Sequence, residues 1–441
     1  MKRFLLAYLA LVALAWGWAL PTPGAEPTPL TAWAVREHAL TLTGLWAFAL
    51  MSLVMVLAMR PARLEGVFGG MDRIYRVHKW SGILAIAFAA LHWLIELSDD
   101  VIKTLVGRDG RLPREHGSGL FEAMRDLGEE FGERAVYALL AMLVLTLWKR
   151  FPFRLWRYAH KIMPVLYLML AFHAAFLAPI GYWTQPVGVL LGLLIACGSA
   201  ASIHALAGWI GRSRRSAGVI ESVGEPAPGL TRVRCRLDTA WPGHRAGQFA
   251  FVTFDRVEGE HPFTIACADR GDRRVTFEIK ALGDYTRGLA RRLQAGARMT
   301  AEGPYGRFNL ASDAIGRPQI WVAGGIGVTP FLAWLESLQD APAQAPDADL
   351  YYCVRSRDDD PFVGRLEALT RTLPSVRLHV VSSQQGERLD ARRLGARAPS
   401  RRASSRSPSA LLTTCRRTLG SVCVSASRRP TKGSWSRLRT Q

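Results

Sequence analysis

The chain has 441 residues, of which 49% are hydrophobic and 14 are Trp, and it carries a formal net charge of +20. Its six Cys form no CxxC pair, which excludes a disulfide framework and a zinc site. Eleven basic residues lie in stretch 395–441, which has no Asp or Glu. Loops between the apolar segments supply much of the remaining positive charge. This distribution argues against a nucleic-acid-binding protein, although the net charge alone would suggest one.

Residues 1–211 contain six apolar segments that we interpret as transmembrane helices, each of which needs about 20 residues to cross a bilayer. The fourth segment is short, and the first, which follows MKR, is either a signal peptide or a retained helix. Its Trp16 and Trp18, together with the lack of a small-residue cleavage site, favour the retained helix. The six segments are residues 4–20, 39–59, 80–97, 135–148, 162–180 and 183–210.

The charges between these segments predict the orientation of the protein in the membrane. Basic residues concentrate in stretches 60–79 and 149–161 and after Gly211, whereas stretch 98–134 carries many acidic residues. Cytoplasmic loops of membrane proteins are enriched in Lys and Arg. We therefore expect six spans with both termini in the cytoplasm.

Four histidines lie within or two residues before the third and fifth segments, which run in the same direction across the membrane. His78 and His92 are 14 residues apart, a spacing that returns to within about 40° of the same helix face. We expect His160 to match His78 in depth, and His173 to match His92. Two imidazoles on facing helices can bind one haem iron from both sides, so the sequence predicts two stacked b-type haems.

Packing is the alternative explanation for any single membrane histidine. His38 and His204 have no partner at a matching depth, and we interpret both as structural residues. The 13-residue spacing from His160 to His173 leaves these rings about 140° from a common face of an ideal helix. Pro164 lies between them and predicts a kink or rewinding of the helix.

Residues 216–312 alternate in short apolar and polar runs, including GVIESV, TRVRCRL, GQFAFVTF and RVTFEIKAL. This pattern predicts an antiparallel β-barrel. The tetrapeptide HPFT, residues 261–264, lies between two of these strands. Gly283, Asp284 and Thr286 stand at the start of a predicted helix, whose free backbone N–H groups suit a pyrophosphate.

Residues 316–394 predict an α/β nucleotide-binding domain. The buried strand IWVAG leads into Gly324, Gly325 and Gly327, and a helix follows from about Thr329. Glycines at such a turn let the backbone approach a phosphate closely. The strand DLYYCVRS comes next, as expected of a parallel sheet.

The order of these motifs resembles the ferric reductase and NADPH oxidase superfamily, in a bacterial form, over about residues 39–390. The resemblance implies a membrane α-helical bundle with two b haems, followed by an antiparallel β-barrel FAD domain and an α/β nucleotide-binding domain. The implied haem ligands are His78, His92, His160 and His173. The implied flavin-ring residues are His261, Pro262, Phe263 and Thr264, of which Thr264 approaches the reactive edge as the catalytic residue. The implied flavin-phosphate residues are Gly283, Asp284 and Thr286. The implied NADPH or NADH residues are Gly324, Gly325, Gly327 and Thr329 for the pyrophosphate, and Arg355 with Ser356 for an adenosine 2′-phosphate.

The same resemblance implies electron transfer through a bacterial inner membrane, from cytoplasmic NAD(P)H to an acceptor on the other side. The acceptor is expected to be ferric iron or oxygen, with a quinone or a periplasmic protein left open. Stretch 98–134 is where we expect the acceptor to be selected. The alternative is a haem-carrying membrane module with an impaired dehydrogenase, which receives its electrons from a partner protein.

Residues 395–441 depart from this pattern. They are rich in Ser and Arg and have no amphipathic period, so we predict either disorder or the product of a reading-frame shift. The resembling family has here another strand, a Cys-Gly-Pro turn and a terminal aromatic residue. Cys415 is instead followed by two Arg, so the nucleotide-binding domain is expected to be incomplete.

Overall fold

The computed structural model of the chain describes residues 2–20, 31–108, 111, 119–148, 150–310, 318–390, 423–428 and 435–440. It divides into two compact units, Met1–Ile210 and Gly211–Gln441. The first is helical, because its long apolar runs satisfy every backbone hydrogen bond within one segment. Its helices are α1 (Lys2–Trp18), α2 (Ala32–Ala58), α3 (Ala62–Phe68), α4 (Met71–Leu97), α5 (Asp99–Val106), α6 (Leu120–Leu147), α7 (Phe153–His160), α8 (Met163–Leu177) and α9 (Pro186–Leu206).

Four helical stretches of the described chain are long and apolar enough to cross a membrane. They are Ala32–Ala58, Met71–Val106, Leu155–Leu177 and Pro186–Leu206. The first predicted segment forms α1, which has 17 residues, and the fourth forms α6, whose N-terminal half is polar. The structure therefore supports four of the six predicted spans by length and composition.

Helix α6 begins 15 residues earlier than the apolar pattern predicted, at Leu120 instead of residue 135. Its first half carries charged side chains that pair one turn apart. Arg134 lies 2.8 Å from Glu130, and the Tyr137 hydroxyl donates to Glu133 at 3.0 Å. Pairs at this spacing stabilise a helix, and their charges lower the mean hydropathy of this half, which is why the apolar pattern missed it.

The stretch that holds His160 and His173 forms two helices, and the fifth predicted segment, residues 162–180, contains only the second. α7 ends at His160, and α8 begins at Met163 with Pro164 in its first turn. Proline has no N–H to lose at a helix start, so it favours a new helix here over a kink within one. His160 and His173 consequently lie on different helices. The angle of about 140° expected for 13 residues along one ideal helix therefore does not apply to them.

The second unit begins with a six-stranded antiparallel sheet in the order β4-β3-β6-β1-β2-β5. An isolated bridge between Ile265 and Phe277 joins the chain just after β4 to β5, at the other end of that order. Side chains that alternate along the strands form the core, with Val233, Ala250 and Phe277 fully buried. The strands are β1 (Arg215–Ala227), β2 (Leu230–Leu237), β3 (Phe249–Thr253), β4 (His261–Thr264), β5 (Arg274–Lys280) and β6 (Arg298–Tyr305).

A short helix, α10 (Leu289–Arg292), precedes β6, and a second sheet follows in the order β11-β10-β7-β8-β9. β7, β8 and β9 run parallel, as the strand–helix–strand pattern predicted. Helix α11 covers the sheet with Phe331 and Trp334, which pack on Trp321 of β7. The remaining elements are β7 (Gln319–Gly324), α11 (Thr329–Gln339), β8 (Ala348–Val354), α12 (Val363–Arg371), β9 (Val376–Ser382), β10 (Cys423–Arg428) and β11 (Trp435–Thr440).

Strands β10 and β11 lie in stretch 395–441, for which we predicted disorder or a reading-frame shift, so disorder is wrong for these two segments. β10 pairs antiparallel with β7, with Val424 opposite Val322, and β11 pairs with β10. The free edge of β7 presents unpaired backbone N–H and C=O groups, which a segment of any composition can satisfy. The composition argument missed this because it weighed side chains alone. The rest of the predicted tail lies outside the described residues.

A buried ion-pair network joins the two sheets within the second unit. The Glu278 side chain, which is fully inaccessible to solvent, binds Arg232 at 2.6 Å and Arg365 of α12 at 3.3 Å. Arg365 also pairs with Glu336 of α11. The Trp334 indole adds a hydrogen bond of 3.0 Å to the carbonyl of Ala246. These contacts connect the first sheet to helices α11 and α12 of the second.

Candidate functional site

Two histidine pairs meet inside the first unit. The ring centres of His78 and His160 are 6.4 Å apart, and those of His92 and His173 are 6.2 Å apart. Because an imidazole nitrogen binds a first-row metal at about 2.0–2.1 Å, two rings on opposite sides of one metal have centres about 6 Å apart. Both pairs have this spacing, and α4 contributes one member of each.

Hydrogen bonds from Nδ1 orient three of the four imidazole rings. In these three, Nδ1–H donates to a backbone carbonyl of a neighbouring helix, which leaves Nε2 as the metal-binding nitrogen. The acceptors are Val54 for His78 at 3.2 Å, Leu40 for His92 at 2.9 Å and Gly128 for His173 at 2.9 Å. His160 instead stacks on Trp156, with ring centres 4.8 Å apart and planes at 19°.

Two buried arginines that the sequence analysis missed lie near these pairs. Among the described residues, the Nε atoms of Arg36 and Arg157 are buried and have no hydrogen-bond partner. Arg157 lies one helical turn before His160, and Arg36 lies one turn before Leu40, whose carbonyl holds His92. The Arg36 side chain is only 9% exposed. Buried N–H groups require acceptors, and the carboxylates of a haem would supply them.

These observations fit haem better than a bare metal ion. Within the described part of the chain, no group of three or more His, Cys, Asp or Glu could hold a metal on its own. Two axial imidazoles suffice when a porphyrin supplies the other ligands.

In the second unit, β4 consists of the HPFT motif. It pairs with β3, so that Thr264 lies opposite Phe249 and Pro262 opposite Phe251. His261 stacks on Tyr285, with ring centres 4.1 Å apart. Tyr285 belongs to the tetrapeptide GDYT, residues 283–286. The two motifs that the sequence analysis assigned to one flavin are therefore in direct contact.

Tyr285 offers a hydrogen-bond donor at this contact. Its hydroxyl is buried and unpaired among the described residues. Burial raises the pKa of Tyr285 to about 12, so the phenol remains protonated near neutral pH. An aromatic surface with a free buried donor fits a flavin ring, which carries several acceptors.

The helix predicted to begin at Gly283 is absent from that position. Residues 281–288 form a turn, which Thr286 closes by accepting hydrogen bonds from the N–H groups of Leu282 at 2.9 Å and Gly283 at 3.1 Å. The helix begins only at Leu289 and has four residues, because the hydroxyl has already satisfied the donors that a helix start would expose. Asp284 is fully exposed and lies 3.6 Å from Arg287.

The glycine turn after β7 leads directly into α11. Residues Gly325–Val328 form a 3-10 turn in which Gly325 has φ of +50°. Thr329 begins the helix, and its buried hydroxyl donates to the carbonyl of Ile326 at 3.0 Å. The N–H of Thr329 donates to the carbonyl of Ile326 and Pro330 has no N–H, so a pyrophosphate here would meet the glycine turn and the positive end of the helix dipole.

A tyrosine that the sequence analysis missed connects this turn to the next strand. The Tyr352 hydroxyl lies 3.3 Å from the carbonyl of Gly325 and 3.0 Å from both carboxylate oxygens of Asp360. Burial raises the pKa values of Tyr352 and Asp360. Asp360 also lines a cleft of about 360 Å³, whose other lining residues are Arg355, Ser356, Asp359 and Gln384. The predicted adenosine-binding pair thus shares one cleft with two carboxylates.

Two stretches of the chain match models of known protein families. Residues 43–171 match a ferric reductase like transmembrane component, and this stretch includes His78, His92 and His160. Residues 231–309 match an FAD-binding domain, and this stretch includes the HPFT and GDYT motifs.

The chain is also similar to curated oxidoreductases. It is 30% identical to methane monooxygenase component C of Methylosinus trichosporium, over 33% of this chain and 43% of that protein. It is 30% identical to respiratory burst oxidase homolog protein E of Arabidopsis thaliana, over 41% of this chain and 21% of that protein. It is 29% identical to ferredoxin--NADP reductase B of Sorangium cellulosum, over 34% of this chain and 61% of that protein. The matches span less than two thirds of each relative.

Proposed function

Because this chain belongs to the ferric reductase and NADPH oxidase superfamily, we propose that it is an NAD(P)H-dependent oxidoreductase that transfers electrons across a membrane. Cytoplasmic NADPH or NADH is the donor, and ferric iron or oxygen on the opposite side is the acceptor. The spacing of the two histidine pairs, 6.4 and 6.2 Å between ring centres, is the observation that carries this proposal.

We further propose six membrane spans, with both termini on the cytoplasmic side of a bacterial inner membrane. The basic stretches 60–79 and 149–161 support this orientation. For the second unit we propose a closed barrel, which the Ile265–Phe277 bridge supports.

When bound, FAD would supply the conversion of two-electron to one-electron transfer, and haem would supply single-electron transfer. The inner haem would be held by His78 and His160, and the outer one by His92 and His173. Arg157 would donate its buried Nε–H to a haem carboxylate. Arg36, whose terminal nitrogen already pairs with Glu96 at 2.8 Å, would offer only its Nε–H. Because two histidines would be committed to each haem, the site would suit electron transfer rather than oxygen binding.

The residues of the second unit bind and orient the flavin and the nucleotide. His261, Pro262, Phe263 and Thr264 would line the flavin ring, and Thr264, which ends β4, would stand at its reactive edge. The turn of Gly283, Asp284 and Thr286 would hold the flavin phosphates. Gly324, Gly325, Gly327 and Thr329 would hold the pyrophosphate of NAD(P)H, and Arg355 with Ser356 its adenosine end.

Sealed liposomes that contain the purified, cofactor-loaded chain test this proposal. NADH or NADPH is added outside under anaerobic conditions, and an impermeant ferric chelate is enclosed inside. We expect the haem absorption bands to become reduced and the enclosed chelate then to reoxidise them. If the reduced haems are reoxidised only by an acceptor added outside the liposomes, electrons do not cross the membrane and the proposal is contradicted. If neither nucleotide reduces the haems but chemically reduced flavin does, the alternative function as a partner-dependent haem module is supported instead.

A further inference from the structure

The two outer histidines are held by neighbouring helices in the same way. His92 donates its Nδ1–H to Leu40 of α2, and Gly44 lies four residues further along that helix. A carbonyl and a glycine one turn apart therefore face the same imidazole ring. Residues at this spacing lie on one side of a helix, so they form a single surface.

The same arrangement recurs on α6. His173 donates its Nδ1–H to the carbonyl of Gly128, and Gly132 lies four residues further along. The two helices belong to different parts of the sequence and share no repeat. The recurrence therefore comes from what each ring requires of the helix against which it packs.

A side chain has no room at Gly132 and only a tight fit at Gly44. A Cβ atom at Gly132 would lie 2.4 Å from Nδ1 and 2.6 Å from Cε1 of His173. A Cβ atom at Gly44 would lie 3.0 Å from the same two atoms of His92. Both rings are fixed through Nδ1, so they cannot rotate away without losing their hydrogen bond.

Two other glycines in the membrane helices face open space instead. A Cβ atom at Gly82 of α4 or at Gly192 of α9 would meet nothing within 4 Å. Glycine costs about 1 kcal/mol relative to alanine inside a helix, so a helix interior does not favour it. Gly44 and Gly132 differ from these two glycines in what they face.

The inner pair is held differently. His78 donates to Val54 at a longer 3.2 Å, and Ala58, not glycine, stands four residues further on. The ring planes of His78 and His160 meet at 65°, whereas those of His92 and His173 are nearly perpendicular, at 88°. The two pairs thus differ both in their helix contacts and in the angle between their rings.

We propose that Gly44 and Gly132 are positioning residues that set the orientation of the outer axial imidazoles, an inference that rests on the proposed haem function. By letting each ring lie against bare backbone, they keep the two ring planes near perpendicular. The angle between axial ligand planes determines the largest g value of a low-spin ferric haem. The outer haem should therefore differ from the inner one in its electron paramagnetic resonance spectrum.

The test uses the full-length, cofactor-loaded chain with Gly132→Ala and Gly44→Ala. Gly82→Ala and Gly192→Ala are the matched controls. We expect Gly132→Ala to shift or abolish the outer-haem resonance and leave the inner one in place. Gly44→Ala should produce a smaller shift of the same resonance, because its Cβ contact is less severe. Both controls should give the wild-type spectrum.

Two outcomes would overturn the proposal. One is a wild-type outer-haem resonance in both Gly132→Ala and Gly44→Ala. The other is an equal change of both haems in both variants, which would indicate general loosening of the helices. Should Gly132→Ala fail to fold, the milder Gly44→Ala decides by the same criteria. Wild-type protein without haem would instead contradict the proposed function, so the two failures are distinguishable.

Discussion

His261 and Tyr285 stack with ring centres 4.1 Å apart and ring planes at 11°. The contact joins β4 to the turn of residues 281–288, two segments that are separate in the sequence. The rings touch, so no third ring fits between them, and a flavin would lie against an outer face. The side chain of Arg292 lies over the Tyr285 ring at 5.3 Å and holds it from another side.

Replacing Tyr285 should weaken flavin binding without affecting the first unit. Aromatic stacking contributes about 0.5–1.5 kcal/mol beyond buried area, so we expect Tyr285→Leu to raise the FAD dissociation constant about two- to tenfold. Titration of the flavin-free protein with FAD measures this, and Tyr285→Phe separates the ring from the hydroxyl. An unchanged affinity in Tyr285→Leu would show that this stack does not contact the flavin.

The turn that Thr286 closes gives a second prediction. The substitutions Asp284→Ala and Thr286→Ala together remove the hydroxyl that accepts from Leu282 and Gly283, so the loop should lose its shape. We expect FAD affinity to fall about tenfold or more, because hydrogen bonds to charged groups contribute about 1.5–3 kcal/mol. Haem content serves as the internal control and should remain normal. Wild-type FAD affinity in this variant would rule out the phosphate assignment.

From one buried thiol, Cys235, and one half-buried thiol, Cys267, we predict that the second unit is sensitive to alkaline pH. Burial raises the pKa of Cys235 to about 12 and that of Cys267 to about 11. Cysteine in an unfolded chain titrates near about 8.5, so above that pH the unfolded state binds fewer protons than the folded state. Stability should therefore be complete below about pH 8.5 and fall progressively towards pH 11–12.

The temperature of FAD release, measured from pH 7 to pH 11, tests this prediction. Cys235→Ala should flatten the alkaline decline, although it lowers stability at neutral pH by removing a buried side chain. Cys197→Ala, which changes an exposed thiol of the first unit, is the control and should leave the decline unchanged. If the temperature of FAD release falls equally steeply with pH in the wild type and in Cys235→Ala, ionisation of the buried Cys235 thiol is not the cause of the decline.

The strands at the end of the chain give a prediction about the glycine turn. Truncation after Asp390 removes β10 and exposes the edge of β7, the strand that leads into Gly325. We expect weaker binding of NADP⁺ or NAD⁺ and faster amide exchange in β7, with FAD and haem binding retained. A chain whose reading frame is restored after residue 395 provides the comparison. Equal nucleotide oxidation by the original and the restored chain would refute the frameshift interpretation.

The sequence was most informative where the pattern is local. HPFT coincides with β4, and the glycine turn, the helix from Thr329 and the next parallel strand all lie where they were predicted. The break between His160 and Met163 was only partly predicted, because Pro164 signals either a kink or a new helix. Hydropathy also missed the polar half of α6, whose helix is stabilised by paired charges.

The remaining features depend on contacts between distant segments. Nothing local marks Gly44 or Gly132 as different from Gly82, because the difference is the ring of a histidine on another helix. Tyr352 likewise reaches the carbonyl of Gly325 only when β7 and β8 pair. Arg36 and Arg157 read as ordinary basic residues at helix ends until their burial is known.

Haem stoichiometry in histidine variants tests the central claim most directly. The wild-type chain should bind two low-spin b haems. His92→Leu and His173→Leu should each lose the same one, and His78→Leu and His160→Leu the other. His204→Leu, which changes a histidine outside both pairs, should retain both. If either outer variant keeps both haems, or if His92→Leu and His173→Leu lose different haems, the pairing of these four residues as axial ligands is wrong.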